Sequence, residues 1–157
     1  MGPSVTSPAA ARIRVGVIDD HAVVRDGTAA LLDREPDFEV VGVADTIASA
    51  AALLDLGPDV LVLDVRLGKD NGLDLLVAMS KARNESGPGR TAPAVVILSA
   101  FQYPQFVEAA VRLGASGYVL KTDPIDRLID AIRQVAAGGV AYSVRPGASA
   151  STRPTAR

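Results

Sequence analysis

Five residues sit where their chemistries would meet. Asp19 and Asp20 close the apolar run Ile13-Arg14-Val15-Gly16-Val17-Ile18, and Asp64 closes Val60-Leu61-Val62-Leu63. Ser99 closes Ala94-Val95-Val96-Ile97-Leu98, and Lys121 closes Tyr118-Val119-Leu120. If these runs are parallel strands of one sheet, three carboxylates, one hydroxyl and one ammonium gather outside the strand carboxyl ends, where open α/β sheets bind their ligands. Three carboxylates in one crevice repel one another and demand a cation. A carboxylate can act as a nucleophile and form an aspartyl-phosphate. Magnesium is typically held by one or two carboxylates together with phosphate oxygens and waters, and a lysine offers a compact cation to phosphoryl charge. The set therefore points to phosphoryl chemistry on Asp64, with Asp19 and Asp20 as candidate Mg²⁺ ligands and Ser99 and Lys121 as candidate phosphoryl contacts.

Taken singly, each residue has a plainer reading. Asp64 suits a turn at a strand end, and Asp20 suits the cap of a helix beginning at Ala22. Ser99 reads as a turn serine, Lys121 as a solvated lysine and His21 as the first turn of that helix. Their joint occurrence points to a site: four strand ends each carry the required residue type.

The elements that must position these residues follow from periodicity. Strands are expected over 13–18, 38–43, 60–63, 94–98 and 117–120, the central ones as near-continuous apolar runs like those of parallel strands buried on both faces. Helices are expected over about 22–34, 47–56, 72–83 and 104–113. A fifth begins near Pro124 and ends near Gly138, with Ile125, Leu128, Ile129, Ile132 and Val135 as its apolar stripe. Regular alternation of strand and helix implies right-handed crossovers and an α/β fold, a doubly wound five-stranded parallel sheet with five helices. Residues 1–11 read as a disordered lead-in, residues 84–93 as a surface loop and residues 144–157 as a linker or tail.

Composition narrows the alternatives. The chain has 157 residues, 48% of them hydrophobic but only 4% aromatic, so one aliphatic core is expected. Its formal net charge of −2 gives no basic footprint for nucleic acid, and no DNA binding by this chain is expected. Without cysteine, disulfides and thiolate metal sites are excluded, and a single histidine cannot build a histidine-based zinc site alone. No apolar run approaches the roughly 20 residues that span a bilayer, and Met1 to Arg12 lack the apolar segment of a signal peptide. A cytoplasmic location is expected. The segment Gly87-Pro88-Gly89-Arg90-Thr91-Ala92 matches a dinucleotide-binding spacing but precedes a strand instead of following one.

With these motifs in view, residues 12–143 resemble the receiver domain of bacterial two-component response regulators. The start, Val17-Ile18-Asp19-Asp20-His21-Ala22-Val23-Val24-Arg25-Asp26-Gly27, is most similar to the NarL/FixJ subgroup. So are the Asp64 to Gly72 spacing, Tyr118-Val119-Leu120-Lys121 and Ala136-Ala137-Gly138-Gly139. The resemblance implies a flavodoxin-like receiver fold and a phosphorylation switch, with roles assigned by position. Asp64 is then the phosphoacceptor. Asp20, Asp64 and the backbone carbonyl of Arg66 would ligate Mg²⁺ directly, and Asp19 through a water. Ser99 would be the switch hydroxyl, Tyr118 the switch aromatic and Lys121 the phosphoryl contact. The implied partner is a sensor histidine kinase, and the implied chemistry is self-directed phosphotransfer and autodephosphorylation, not turnover of an external substrate.

The pattern also departs from the family. Gly68 stands where a proline is usual, which predicts a looser loop over Val65 to Asn71. Thr122 replaces the proline that often follows the lysine, and the loop 84–93 is long. Nothing after residue 144 has the pattern of a helix-turn-helix, so the output belongs either to a domain missing from this sequence or to a stand-alone receiver acting by protein contact. A homodimer is expected through the face of the fourth helix, fifth strand and fifth helix, where Arg127, Asp130 and Arg133 could pair with their copies. Two other classes stay in view. A hydrolase working through an aspartyl-phosphate would be expected to carry an acid two residues after the nucleophile, where Arg66 stands. A flavin module would meet three repelling acids at the crevice.

Overall fold

The computed structural model describes residues 11–67, 69–86 and 92–142. Strands β1 (Ile13–Ile18), β2 (Phe38–Ala44), β3 (Val60–Leu63), β4 (Arg66–Leu67), β5 (Asp70–Asn71), β6 (Ala94–Ser99), β7 (Gly117–Leu120) and β8 (Ala141–Tyr142) follow one another in chain order. Helices α1 (Ala22–Asp33), α2 (Ile47–Asp55), α3 (Gly72–Ser86), α4 (Pro104–Arg112) and α5 (Ile125–Ala136) connect them. The main sheet runs β2-β1-β3-β6-β7-β8, with every pairing parallel. The doubly wound α/β sheet with five helices is thus borne out. It gains a sixth, two-residue edge strand, β8, which pairs Gly117 with Ala141 and Tyr118 with Tyr142. That strand is too short and too weakly patterned to be read from sequence.

Two local readings change. The loop expected over Val65 to Asn71 contains an antiparallel pair, Arg66 with Asn71 and Leu67 with Asp70, anchored by the burial of Leu67. The third helix runs on to Ser86, three residues past its expected end. Gly68, residues 87–91 of the expected surface loop, the lead-in through residue 10 and the tail 144–157 lie outside the described residues.

Alternation along the strands sorts the core into two layers. Val15, Val17, Val60, Val62, Val96, Leu98 and Val119 face α1 and α5, where Leu32, Leu128, Ile132 and Val135 meet them. Ile18, Leu61, Leu63, Val95, Ile97 and Tyr118 face α2, α3 and α4. α5 buries Leu128, Ile129, Ala131, Ile132 and Val135, the stripe expected from spacing except that Ile125 is only partly buried. Each of its larger apolar side chains contributes roughly 1.5–3 kcal/mol on burial. Continued one residue past each strand, the same alternation puts Asp19, Asp64 and Lys121 in phase with the α1/α5 layer. Ser99 falls in phase with Ile97, on the layer that holds Tyr118. The acids and the ammonium thus converge, while the hydroxyl and the phenol pair on the opposite side.

One residue on the polar side of α5, Arg133, is committed within the chain. Arg133 donates to Asp37 at 2.8 and 2.9 Å and to Glu35 at 2.8 Å, and its guanidinium lies 5.2 Å from the Phe38 ring centroid. Arg133 is therefore occupied with the α1–β2 connection, which corrects its expected availability to a second copy. The guanidinium beside Asp37 holds that carboxyl below its ordinary value. A depressed acid stabilises the fold above its unfolded pKa and loses that contribution as pH falls through the folded value. Arg133→Ala should cost about 1 kcal/mol at neutral pH. The deficit, measured by urea denaturation, should shrink in high salt and below pH 4, roughly the ordinary carboxylate value.

Candidate phosphoacceptor site

β1 and β3 lie side by side at the centre of the sheet, and the chain leaves them toward opposite edges. Their carboxyl ends therefore form a switch-point crevice. Asp64 is drawn into register there by its own N–H, which donates to the Ile18 carbonyl at 2.9 Å, and Asp19 by its N–H to Ala44 at 3.1 Å. Lys121 N–H donates to the Ser99 carbonyl at 2.7 Å and ties the ends of β6 and β7 together. The lysine side chain reaches back across the crevice. Its Nζ lies 2.9 Å from Asp64 Oδ2 and 3.1 Å from Asp19 Oδ2.

The two remaining oxygens of this pair accept backbone donors, Asp19 Oδ1 from His21 N–H at 2.9 Å and Asp64 Oδ1 from Arg66 N–H at 3.1 Å. Asp19 and Asp64 are both buried. Burial pushes the Asp64 carboxyl upward, Lys121 and the Arg66 N–H pull it down, and the Asp19 charge pushes it up again, leaving it above its ordinary value. Burial alone would lower the Lys121 ammonium. Its hydrogen bonds to two carboxylates and their charges more than offset that, and its pKa ends higher than usual. Lys121 senses two acids, whereas Asp64 senses one cation and a like charge, so both shifts follow from one geometry.

Asp20 is the residue left over. It does not cap α1, whose N-cap is His21 without a side-chain cap hydrogen bond. Among the described residues, its Oδ1 is a buried side-chain oxygen with no hydrogen-bond partner, and the His21 Nδ1 3.4 Å away does not satisfy it. Such an atom carries a desolvation cost of about 1–3 kcal/mol unless something fills its lone pairs. Ligand atoms of Asp19, Asp20, His21 and Asp64 all lie within 4.8 Å of one another. Oxygen donors of this kind, with an orphan among them, fit a small hard dication.

Asp20, His21, Asp64, Arg66, Ala100, Phe101 and Lys121 line a cleft of about 310 Å³. At about 30 Å³ per water, that admits a phosphoryl group and several waters. Ser99, 1% exposed, does not reach its wall. Its Oγ accepts from Phe101 N–H at 3.0 Å, and its hydroxyl is hydrogen-bonded to Tyr118. Tyr118 is fully buried and donates to the Phe101 carbonyl at 2.8 Å. Burial raises its phenol pKa, the Ser99 bond opposes that and the Asp64 charge adds to it.

Two residues at the site have no site role in the sequence reading, which takes His21 as the first turn of a helix and passes over Phe101. His21 faces the acids, a placement its position directly after the pair could have signalled. Phe101 joins Ser99 to Tyr118 through its backbone, and its ring lies 5.2 Å from the Arg66 guanidinium. Its signal was an aromatic two residues past a strand-end serine in a chain poor in aromatics.

Residues 15–133 match the response regulator receiver domain family. The chain belongs to this family. The chain is 35% identical over 140 residues to the nitrate/nitrite response regulator protein NarL of Escherichia coli, covering 87% of this chain and 62% of that protein. Among solved structures, the signal receiver domain of the putative response regulator NarL from Mycobacterium tuberculosis is similar at TM-score 0.71 and 31% identity, covering 82% of this receiver and 98% of that chain. A two-component response regulator of the LuxR family from Aurantimonas sp. SI85-9A1 matches at TM-score 0.75 and 27% identity, covering 90% and 94%. The receiver chain spans about half to three-fifths of the length of the curated relatives it matches. Among the described residues, no helix is long and apolar enough to cross a membrane.

Proposed function

We propose that the receiver unit, residues 12–143, takes a phosphoryl group on Asp64 from a partner sensor histidine kinase in a Mg²⁺-dependent reaction and thereby switches a binding surface. The observation that carries this reading is the buried Asp19–Lys121–Asp64 bridge beside an unpartnered Asp20 oxygen in one open cleft. Asp20, Asp64 and the Arg66 carbonyl would hold the ion, with Asp19 acting through a water. When bound, Mg²⁺ supplies positive charge that offsets the acids and the phosphoryl oxygens. An Asp64 carboxylate oxygen attacks phosphorus, a new O–P bond forms, and the P–N bond to the donor imidazole breaks with its electron pair leaving on nitrogen. Lys121, already within 2.9 Å of Asp64, follows the charge onto the phosphoryl oxygens. Hydrolysis of the acyl phosphate by water returns Asp64, so the only chemistry is on the chain itself.

The switch follows from the hydrogen bonds Ser99 must give up. A phosphoryl group brings close to two negative charges and strong acceptor oxygens. The Ser99 hydroxyl turning to it releases Tyr118, which shares Phe101 with it. The β6–α4 connection then repacks, and the face of α4, β7 and α5 changes what it binds. A second copy of the chain is the proposed occupant of that face, through the exposed charges Arg127 and Asp130; Arg133 is engaged within the chain and lies 3.9 Å from Asp130. DNA contact and transcriptional output would lie with other parts of the protein; a stand-alone receiver read by protein contact is the alternative.

Fluorine NMR with Mg²⁺ and beryllofluoride, a mimic of the phosphoryl group, tests this reading. Slowly exchanging bound fluorine signals should appear only when both are present and should vanish in Asp20→Ala, with sedimentation of the same samples showing a shift toward dimer. Bound fluorine without Mg²⁺, or its persistence in Asp20→Ala, would remove the metal role of that acid.

A further inference from the structure

We propose that His21 is a direct ligand for transition dications at the acidic cleft, so that an ion such as Zn²⁺ is held by imidazole as well as carboxylates and competes with the phosphoryl-competent Mg²⁺ state. The inference rests on the metal reading of Asp20 and Asp64 given above and adds a residue to it.

The geometry is specific. His21 follows the acid pair directly, and its backbone N–H is pinned to Asp19 Oδ1 at 2.9 Å. Its ring lies beside the acids. Nδ1 lies 3.4 Å from Asp20 Oδ1, the buried oxygen without a hydrogen-bond partner, and 3.8 Å from Asp19 Oδ1. The side chain is otherwise 73% exposed, so moving a few tenths of an ångström costs little packing. Ligands of a tetrahedral ion at about 2.1 Å stand about 3.4 Å apart, the separation already present between His21 Nδ1 and Asp20 Oδ1 at 3.4 Å. The four donor atoms all lie within 4.8 Å of one another, so the widest pair must draw together by up to about 1.4 Å to close on such an ion.

Chemistry then separates the ions. Mg²⁺ prefers oxygen and keeps several waters, so an imidazole adds little to its binding. Zinc and its neighbours accept imidazole nitrogen readily, and affinity rises along that series. A tetrahedral ion that takes one nitrogen and carboxylate oxygens from Asp19, Asp20 and Asp64 has a filled ligand set. No position remains for a donor phosphoryl oxygen, and the nucleophilic carboxylate is itself engaged. A transition ion therefore holds the chain in a state that Mg²⁺ and a phosphodonor cannot use.

The test reads the histidine itself. The sequence contains one His, so its imidazole nitrogen signals are unambiguous in ¹⁵N NMR. Adding zinc chloride should move the Nδ1 resonance of the wild-type chain, whereas magnesium chloride should leave it in place. By calorimetric titration, His21→Ala and His21→Gln should weaken Zn²⁺ binding by at least about tenfold, since even an outer partner of a metal ligand is worth that much. Mg²⁺ affinity should stay within about twofold in both variants, consistent with its preference for oxygen. Zn²⁺ should also block labelling by acetyl phosphate in the wild type more strongly than in His21→Gln. If Zn²⁺ binding needs Asp20 and Asp64 but leaves the imidazole signal and both His21 variants unaffected, the inference falls and the Mg²⁺ site stands. If neither ion binds in an Asp20-dependent way, the underlying metal reading falls with it.

Discussion

Gly72→Ala should lower stability by about 3 kcal/mol, the upper range for inserting atoms into a packed site, and should displace the strand end that carries Asp64 at the same time. A methyl group at Gly72 would collide with the Asp64 carbonyl oxygen and crowd the Val65 Cα at 3.1 Å. These are backbone atoms, so no side chain can swing away. The Gly72 N–H also donates to the Val65 carbonyl at 2.5 Å, which leaves the start of α3 pressed against the strand end that carries Asp64. Relief requires separating α3 from β3 and moving the Asp64 carboxyl from Lys121. Thermal unfolding should show a midpoint lower by about 10 °C for a chain of this size. Gly139→Ala is the control. Its added carbon would meet Gln134 O at 3.2 Å, a contact outside the site, and should leave Mg²⁺ binding unchanged. A Gly72→Ala protein with native stability and full Mg²⁺ affinity would show that the α3–β3 contact does not position the site.

The second large effect concerns Lys121. Lys121→Met keeps the length of the stem and removes the charge, leaving Asp19 and Asp64 buried without the cation they share. Removing one partner of a buried pair typically costs 3–5 kcal/mol, and the 21% exposure of the Lys121 side chain sets the expectation at about 3 kcal/mol in chelator. The sign with pH follows from Asp64. Its folded pKa lies above the ordinary value, so its contribution to stability is present at low pH and lost as pH rises through the folded value. Without Lys121 that pKa rises further. The deficit of Lys121→Met should therefore shrink as pH is lowered from neutral toward the ordinary carboxylate value, and Mg²⁺ at tenfold over its Kd should stabilise the variant by about 1.4 kcal/mol relative to the variant in chelator. Urea denaturation in chelator and in Mg²⁺ measures both. A deficit indifferent to pH and to Mg²⁺ would mean that Lys121 acts only through packing.

The strands and acids were legible in sequence for a common reason. Apolar runs such as Val60-Leu61-Val62-Leu63 suit strands buried on both faces, as in a parallel sheet covered by helices, and a charged residue that ends such a run must emerge at the sheet's edge. Period two then fixes which acids meet, and Asp19, Asp64 and Lys121 came together as their strand ends required. What sequence could not supply depends on contacts between distant segments. β8 is two residues long and exists because Gly117 and Tyr118 offer it an open edge. The β4–β5 pair is held by burial of Leu67, which local composition around Gly68 and Lys69 conceals. Arg133 read as one charge on a solvated helix face, because its partners Glu35 and Asp37 lie nearly a hundred residues earlier. The Ser99–Phe101–Tyr118 chain depends on backbone donors and acceptors that carry no residue-type signature.

One carboxylate, Asp64, is the proposed phosphoacceptor on which the switch depends. Intact-mass analysis after incubation with acetyl phosphate tests that most directly, on wild type and Asp64→Asn, each with Mg²⁺ and with chelator. One added phosphoryl group is expected on the wild type in Mg²⁺, none in chelator and none on Asp64→Asn in either condition. A phosphoryl adduct that persists on Asp64→Asn, or one that forms equally well in chelator, would contradict that assignment.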